Sequence, residues 1–370
     1  MKASENSVMR EDTWWKQAYG CGQEAFQRFR DVFPLTRPSA YRTSTFAPQT
    51  TSERRRQSTQ GDSLESDGRL AQEVLAHELP ARKEAAAEKT VLYLAYGSNL
   101  SSAKFRGSRG IKPLSEINVY VPELKLTFDL PGIPYGEPCF AGSQFRNCPA
   151  SHKETSNGDT DEDSLLAKGE YNKDRWHKPL IGVVYEVTLT DYAHIIATEG
   201  GGRGYRDVVV TCYPFSEKYD SRDPVPDKPT TPSFKAHTLL SPDRDNRSRA
   251  LLRPDPSYAQ PSARYLNLIK TGAAEHDLPI SYQNYLAQIR PYRITTFRQR
   301  IGQVLFLSLW APLMLLFLLL AKYLADSNGR SPEWLVKVED KLFTAMWTSY
   351  DHGFKKVFGE GERTIEDVIP

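Results

Sequence analysis

Two stretches of the chain carry residue types and spacings that could do chemistry. At 93–101 the run YLAYGSNLS ends an apolar strand in a turn of small residues, Gly97, Ser98 and Asn99. Small residues let backbone N–H groups approach a ligand closely, and a row of such donors suits a carboxylate. The same tripeptide is also an ordinary turn. About 100 residues later, Glu199 closes an expected helix just ahead of the glycines of GGGRG and a further strand. A carboxylate there has two readings. It is a solvated residue opposed to the helix dipole, or a general acid/base whose pKa burial has raised. GGGRG lacks the Lys-Ser/Thr of a phosphate loop and the spacing of a dinucleotide fingerprint, which argues against nucleotide binding. His194 and His276 are given no catalytic part, and His237, alone on an expected strand, is either a pocket residue or a structural one.

The elements that must position these residues begin near Glu88. KTVLYLAYGSNL opens with a strand; INVYVPELKLTFDL, LIGVVYEVTL and YRDVVVTCY are further strand-like runs rich in Val, Ile, Tyr and Phe. The stretches 191–198 and 262–271 read as helices. This order predicts an α+β fold, a small mixed β-barrel or sheet with helices, over 88–291. Polar insertions interrupt it near 151–174 and 221–250. Residues 1–87 are expected to be largely disordered, most clearly 36–67, where Ser, Thr, Gln, Arg and Pro dominate. Before that stretch, Trp14, Trp15, Phe26, Phe29 and Phe33 form either a docking helix face or a local apolar patch.

Residues 304–321 contain no charged side chain, and with their shoulders at 301–324 they are long enough to cross a bilayer. They are expected to form one transmembrane helix, with Trp310 and Tyr323 near its edges and Pro312 as a tolerated kink. Arg290, Arg293, Arg298 and Arg300 precede it, and the N-terminus lacks the apolar run of a secretory signal. A single-pass protein follows, with the catalytic part in the cytosol, residues after Asp326 across the membrane, and an amphipathic tail over 325–370. A formal net charge of +2 offers no field for nucleic acid. Cys21, Cys139, Cys148 and Cys212 are too sparse for a disulfide framework or a zinc ribbon and are read as reduced thiols.

Three blocks together resemble the gamma-glutamylcyclotransferases, and fungal members in particular. They are YGSNL at 96–100, Glu199-Gly200 with Gly204 and Tyr205 shortly after, and PSARYLNLIKTGAAEHDLPISYQNYLAQI at 261–289. The resemblance implies a small barrel in which the loop Tyr96, Gly97, Ser98, Asn99 and Leu100 holds the glutamyl carboxylate. It implies that Glu199 moves protons and that Tyr205 and Tyr265 shape the pocket or bond the substrate. Neither metal nor cofactor is implied. The substrate would be a γ-glutamyl amino acid, peptide or glutathione-derived conjugate, cyclised to 5-oxoproline. Lipid would be met through 301–324, and nucleic acid is not a partner. His237 stands where the family tends to carry an aromatic, which leaves the departing amine undefined. The alternative is a non-catalytic, membrane-anchored scaffold that keeps the fold.

Overall fold

The computed structural model describes residues 47–59, 89–146, 176, 178–198, 206–240, 259–324 and 332–364. The apolar runs form strands β1 (Thr90–Ala95), β2 (Ser115–Val121), β5 (Leu180–Thr188), β6 (Arg206–Pro214) and β7 (Phe234–Leu240). They close into a barrel in the order β1-β5-β2-β6-β7. Every pairing is antiparallel except the closing one, where β7 lies parallel to β1 at Tyr93 and His237. In β1 the residues from Val91 to Ala95 are all buried, as expected of a strand covered on both faces. Strands β3 (Leu124–Ile133) and β4 (Glu137–Phe145) form a separate two-stranded hairpin against this barrel.

Helix α1 (Ser52–Gln57) precedes the barrel, α2 (Leu189–Thr198) links β5 to β6, and α3 (Ala263–Glu275) and α4 (Ile280–Gln288) follow β7. Ser262 caps α3 by accepting from the Tyr265 N–H at 3.0 Å. The loop 221–232 between β6 and β7 reaches α4, where the Ile280 N–H donates to the Ser221 carbonyl at 2.7 Å. Residues 1–46, 60–88, 151–175 and 241–258 lie outside the described part, as do the N-terminal aromatic cluster, Cys21 and Cys148.

Within the stretch expected to be disordered, 47–59 is ordered. Arg54 donates from Nε to Glu186 at 2.8 Å and from Nη2 to the Thr90 carbonyl at 3.0 Å, and Gln49 bridges to Glu116. Composition alone missed this because the apolar content is low. The segment is instead held by charge-assisted hydrogen bonds to partners far along the chain. Burial raises the Glu186 pKa, but hydrogen bonds from Thr90, Ser115 and Arg54 outweigh it, so the carboxyl is held below its ordinary value.

The C-terminal third also departs from expectation. Helix α5 (Phe297–Leu324) has 28 residues, about 42 Å at 1.5 Å per residue, and is long and apolar enough to cross a membrane. Helix α6 (Glu333–Ser349), a π-turn at Tyr350–Phe354 and helix α7 (Lys355–Phe358) run back alongside it. Phe306 packs on Phe354 and Tyr350, Trp310 Nε1 donates to Ser349 Oγ at 3.1 Å, and Gly302 faces Phe358. Tyr135, at the tip of the β3–β4 hairpin, is buried among Phe306, Trp347 and Tyr350. Its φ of 62° is uncommon for an aromatic residue. Three hydrogen bonds fix it: its N–H to the Gly361 carbonyl, its Oη to the Gly359 carbonyl and its carbonyl from Gln303 Nε2, each 2.7 Å. The Gln260 N–H donates to the Glu362 carbonyl, and Thr364 returns an N–H to Gln260 Oε1, both at 2.8 Å. Residues 359–364 therefore sit on the hairpin and on the segment leading into α3, whereas the tail was expected across a membrane from them. An amphipathic pattern shows that a helix has a packing face but not which element fills it.

Candidate active site

The YGSNL loop leaves β1 at Ala95 and tightens into a 3-10 turn over Ser98–Leu100. The turn closes on itself: the Leu100 N–H donates to the Gly97 carbonyl and the Ser101 N–H to the Ser98 carbonyl, both at 3.1 Å. Gly97 and Ser98 are partly exposed, and among the described residues no acceptor meets their N–H groups. Within the turn, two adjacent backbone donors on partly exposed residues are thus left unused. Asn99 and Leu100 face the other way, 3% and 0% exposed. Asn99 Nδ2 donates to Tyr93 Oη at 2.9 Å, and the Leu100 side chain belongs to the core. Tyr96 is also buried, its hydroxyl bonded to the Leu239 carbonyl of β7. Of the five loop residues, Gly97 and Ser98 face outward while Tyr96, Asn99 and Leu100 fasten the turn to the barrel.

Tyr265, on the first turn of α3, stands beside Gly97. Its hydroxyl accepts the Ala141 N–H of β4 at 3.1 Å and lies 3.5 Å from where a Cβ on Gly97 would be. Phe140 meets its ring edge-on at 5.1 Å. Helix α3 also backs the turn directly. A Cβ on Gly272 would fall 2.4 Å from the Leu100 carbonyl carbon, so only glycine permits this approach. At the end of the helix, Glu275 accepts the Ser102 N–H at 2.8 Å.

Glu199 and Tyr205 lie outside the described residues. Their immediate neighbours, Thr198 at the end of α2 and Arg206 at the start of β6, are described. A polar cluster ties these two elements together. Tyr192 of α2 donates its hydroxyl to Asp207 Oδ1 of β6 at 2.7 Å, and His237 Nδ1 of β7 lies 3.0 Å from the same oxygen. His237 is 1% exposed and packs on the Tyr192 ring at 5.2 Å, which places it inside the barrel wall.

Two further arrangements escaped sequence reasoning. His276 caps α3, with Tyr185 Oη 2.7 Å from its Nε2 and Glu116 Oε1 3.7 Å from its Nδ1; Glu116 in turn accepts from Arg106 at 2.7 Å. Burial, with Arg106 nearby, lowers the His276 pKa to about 4. Burial raises the Glu116 carboxyl against the pull of Arg106. On the hairpin, the buried Glu137 accepts from Arg264 Nη2 at 2.6 Å, and burial again raises its pKa against that partner. The one sequence signal for either cluster was an acid within an otherwise apolar strand run, at Glu116.

Residues 296–357, the stretch of α5 and α6, match the family described as the AclK C-terminal domain. The gamma-glutamyl cyclotransferase gliK of Aspergillus fumigatus is 32% identical over 274 residues, covering 74% of this chain and 89% of its own. The gamma-glutamyl cyclotransferase aclK of Aspergillus oryzae is 32% identical over 286 residues, covering 74% and 91%. A solved structure titled gamma-glutamyl cyclotransferase is 19% identical, with a TM-score of 0.36, and covers 56% of this chain and 92% of its own. Similar to such relatives across nearly their whole length, this chain belongs to the gamma-glutamyl cyclotransferase family and is an enzyme of that class.

Proposed function

We propose that the enzyme takes γ-glutamyl amides, as γ-glutamyl amino acids, peptides or glutathione-derived conjugates, and releases 5-oxoproline and the free amine. The observation that carries this reading is the pair of unused backbone donors on the partly exposed Gly97 and Ser98, with Tyr265 alongside and α3 locked behind them by Gly272. Two adjacent N–H groups suit the α-carboxylate of a glutamyl unit. Holding that carboxylate and the side-chain carbonyl in register makes the ring closure intramolecular, so orientation supplies much of the rate.

The α-ammonium cannot attack. In the proposed course, Glu199 accepts one of its protons and the nitrogen lone pair forms a bond to the side-chain carbonyl carbon. As the carbonyl re-forms, the bond to the amide nitrogen breaks and Glu199 returns its proton to the departing amine. Two protons in all pass from the attacking nitrogen to the amine, which leaves as an ammonium, and the ring nitrogen keeps one. The cluster Tyr192–Asp207–His237 supports this reading, because it ties together α2 and β6, the elements that precede and follow Glu199 in the chain. Incubating the purified chain with a panel of γ-glutamyl amides and measuring 5-oxoproline tests the reading. Absence of 5-oxoproline across the panel overturns it.

A further inference from the structure

Helix α5 is uncharged from Ile301 to Ala321, and its two long faces are used differently. Phe306, Trp310 and Phe317 are buried on one face, and the first two pack with Met346, Trp347 and Tyr350. The opposite face carries Ile301, Val304, Leu305, Leu309, Leu313, Leu316 and Leu320, each between 39% and 57% exposed. They recur at three- and four-residue steps, which aligns them in one stripe along the helix. Exposed Arg293, Arg298 and Arg300 lie at its N-terminal end, with Phe297 80% exposed among them.

We propose that this stripe docks in the plane of a lipid bilayer, with α5 lying along one leaflet and the barrel, α6 and the C-terminal segment all on the same side. Three features select lipid over a protein partner and in-plane docking over crossing. From Ile301 to Leu320 the stripe is aliphatic apart from Ser308 and Pro312, and its exposed aromatics, Phe297 and Tyr323 at 80% and 79%, stand only at the two ends, whereas a protein interface concentrates them at its centre. The arginines at its end stand where phosphate headgroups would be. Helix α7, the π-turn and the end of α6 run antiparallel along α5, as the pairs Gly302–Phe358, Phe306–Phe354 and Trp310–Ser349 show, and Leu342 and Phe343 of α6 pack against the same cluster as Met314 of α5. If α5 crossed the hydrocarbon, the exposed Lys337, Asp340 and Lys341 of α6 would enter it too, or the packed core around Tyr135 would have to come apart. Lying flat leaves those charges in water and keeps the tail bonded to Tyr135 and Gln260.

The test uses the full chain with Cys21→Ser and Cys148→Ser as background, since Cys139 and Cys212 are buried. It is mixed with sealed vesicles of phosphatidylcholine with and without phosphatidylserine. Flotation should show binding, strengthened by phosphatidylserine, and the triple change Leu305→Gln, Leu309→Gln, Leu313→Gln should weaken it at least tenfold while leaving cyclotransferase activity unchanged. In vesicle-bound protein, cysteines placed singly at Lys337 and Glu217 should both react with an impermeant thiol reagent added outside. Protection of Lys337→Cys with labelling of Glu217→Cys would show crossing and overturn the proposal. So would absence of flotation, including the case where the chain forms a dimer that the triple change dissolves, which would assign the stripe to a second copy.

Discussion

Replacing Gly272 by Ala should separate the stability of this enzyme from its activity. The added Cβ would lie 2.4 Å from the Leu100 carbonyl carbon, 2.5 Å from its Cβ and 2.6 Å from the Ser101 nitrogen. Carbon atoms pack at about 3.5–4.0 Å, so α3 and the turn must part by roughly 1 Å. Two of the three atoms are backbone, and no side-chain rotation relieves them. Overpacking of this kind costs about 1–3 kcal/mol. Alanine in a helix recovers about 1 kcal/mol relative to glycine, which leaves a net loss of about 0–2 kcal/mol. The same 1 Å displaces Gly97 and Ser98, and misplacement on that scale costs about 100-fold in rate. Urea unfolding should therefore report a folded protein of slightly lower midpoint, and kcat/KM for a γ-glutamyl amide should fall about 100-fold. A folded variant with unchanged kcat/KM would refute the claim that α3 sets the position of the turn.

Gly97→Ala places a methyl in ordinary contact with Tyr265 Oη at 3.5 Å and Ala141 Cβ at 3.6 Å, so stability should stay within about 0.5 kcal/mol while KM rises, as steady-state kinetics would show. Arg264→Met leaves the buried Glu137 carboxylate without its cation and should cost about 2 kcal/mol in urea unfolding, discounted for the partial exposure of Arg264. The His276 pKa falls from an ordinary 6.5 to about 4 on folding, so the unfolded chain binds the extra proton between those values. Stability is then full above about pH 6.5 and declines by up to about 3 kcal/mol as pH falls to 4. His276→Gln should flatten that slope in unfolding midpoints measured across the range.

Local pattern made many of the elements legible. Apolar β-branched runs marked β1, β2, β3, β5 and β6, and the helical reading of 262–271 marked α3. The parallel closure of β7 on β1, which makes the barrel, joins residues as far apart as Tyr93 and His237 and leaves no local trace. Arg54–Glu186 and Glu137–Arg264 were hidden for the same reason: a charge is read as solvated until its distant partner is known. At the site, YGSNL was visible as a turn, yet its division into outward Gly97 and Ser98 and inward Asn99 and Leu100 depends on the backing by α3. The amphipathic pattern of the tail showed a packing face, but not that Phe306, Trp310 and Tyr135, all distant in sequence, would fill it.

The central claim is a cyclisation driven by one carboxylate, and the most direct measurement is product identity with the purified enzyme and its Glu199→Gln variant. With a γ-glutamyl amide that is turned over, the account predicts 5-oxoproline and free amine in equal amounts from the wild type. From a folded Glu199→Gln protein it predicts a rate lower by at least about 100-fold. Release of glutamate in place of 5-oxoproline, or near-normal turnover by the variant, would contradict it.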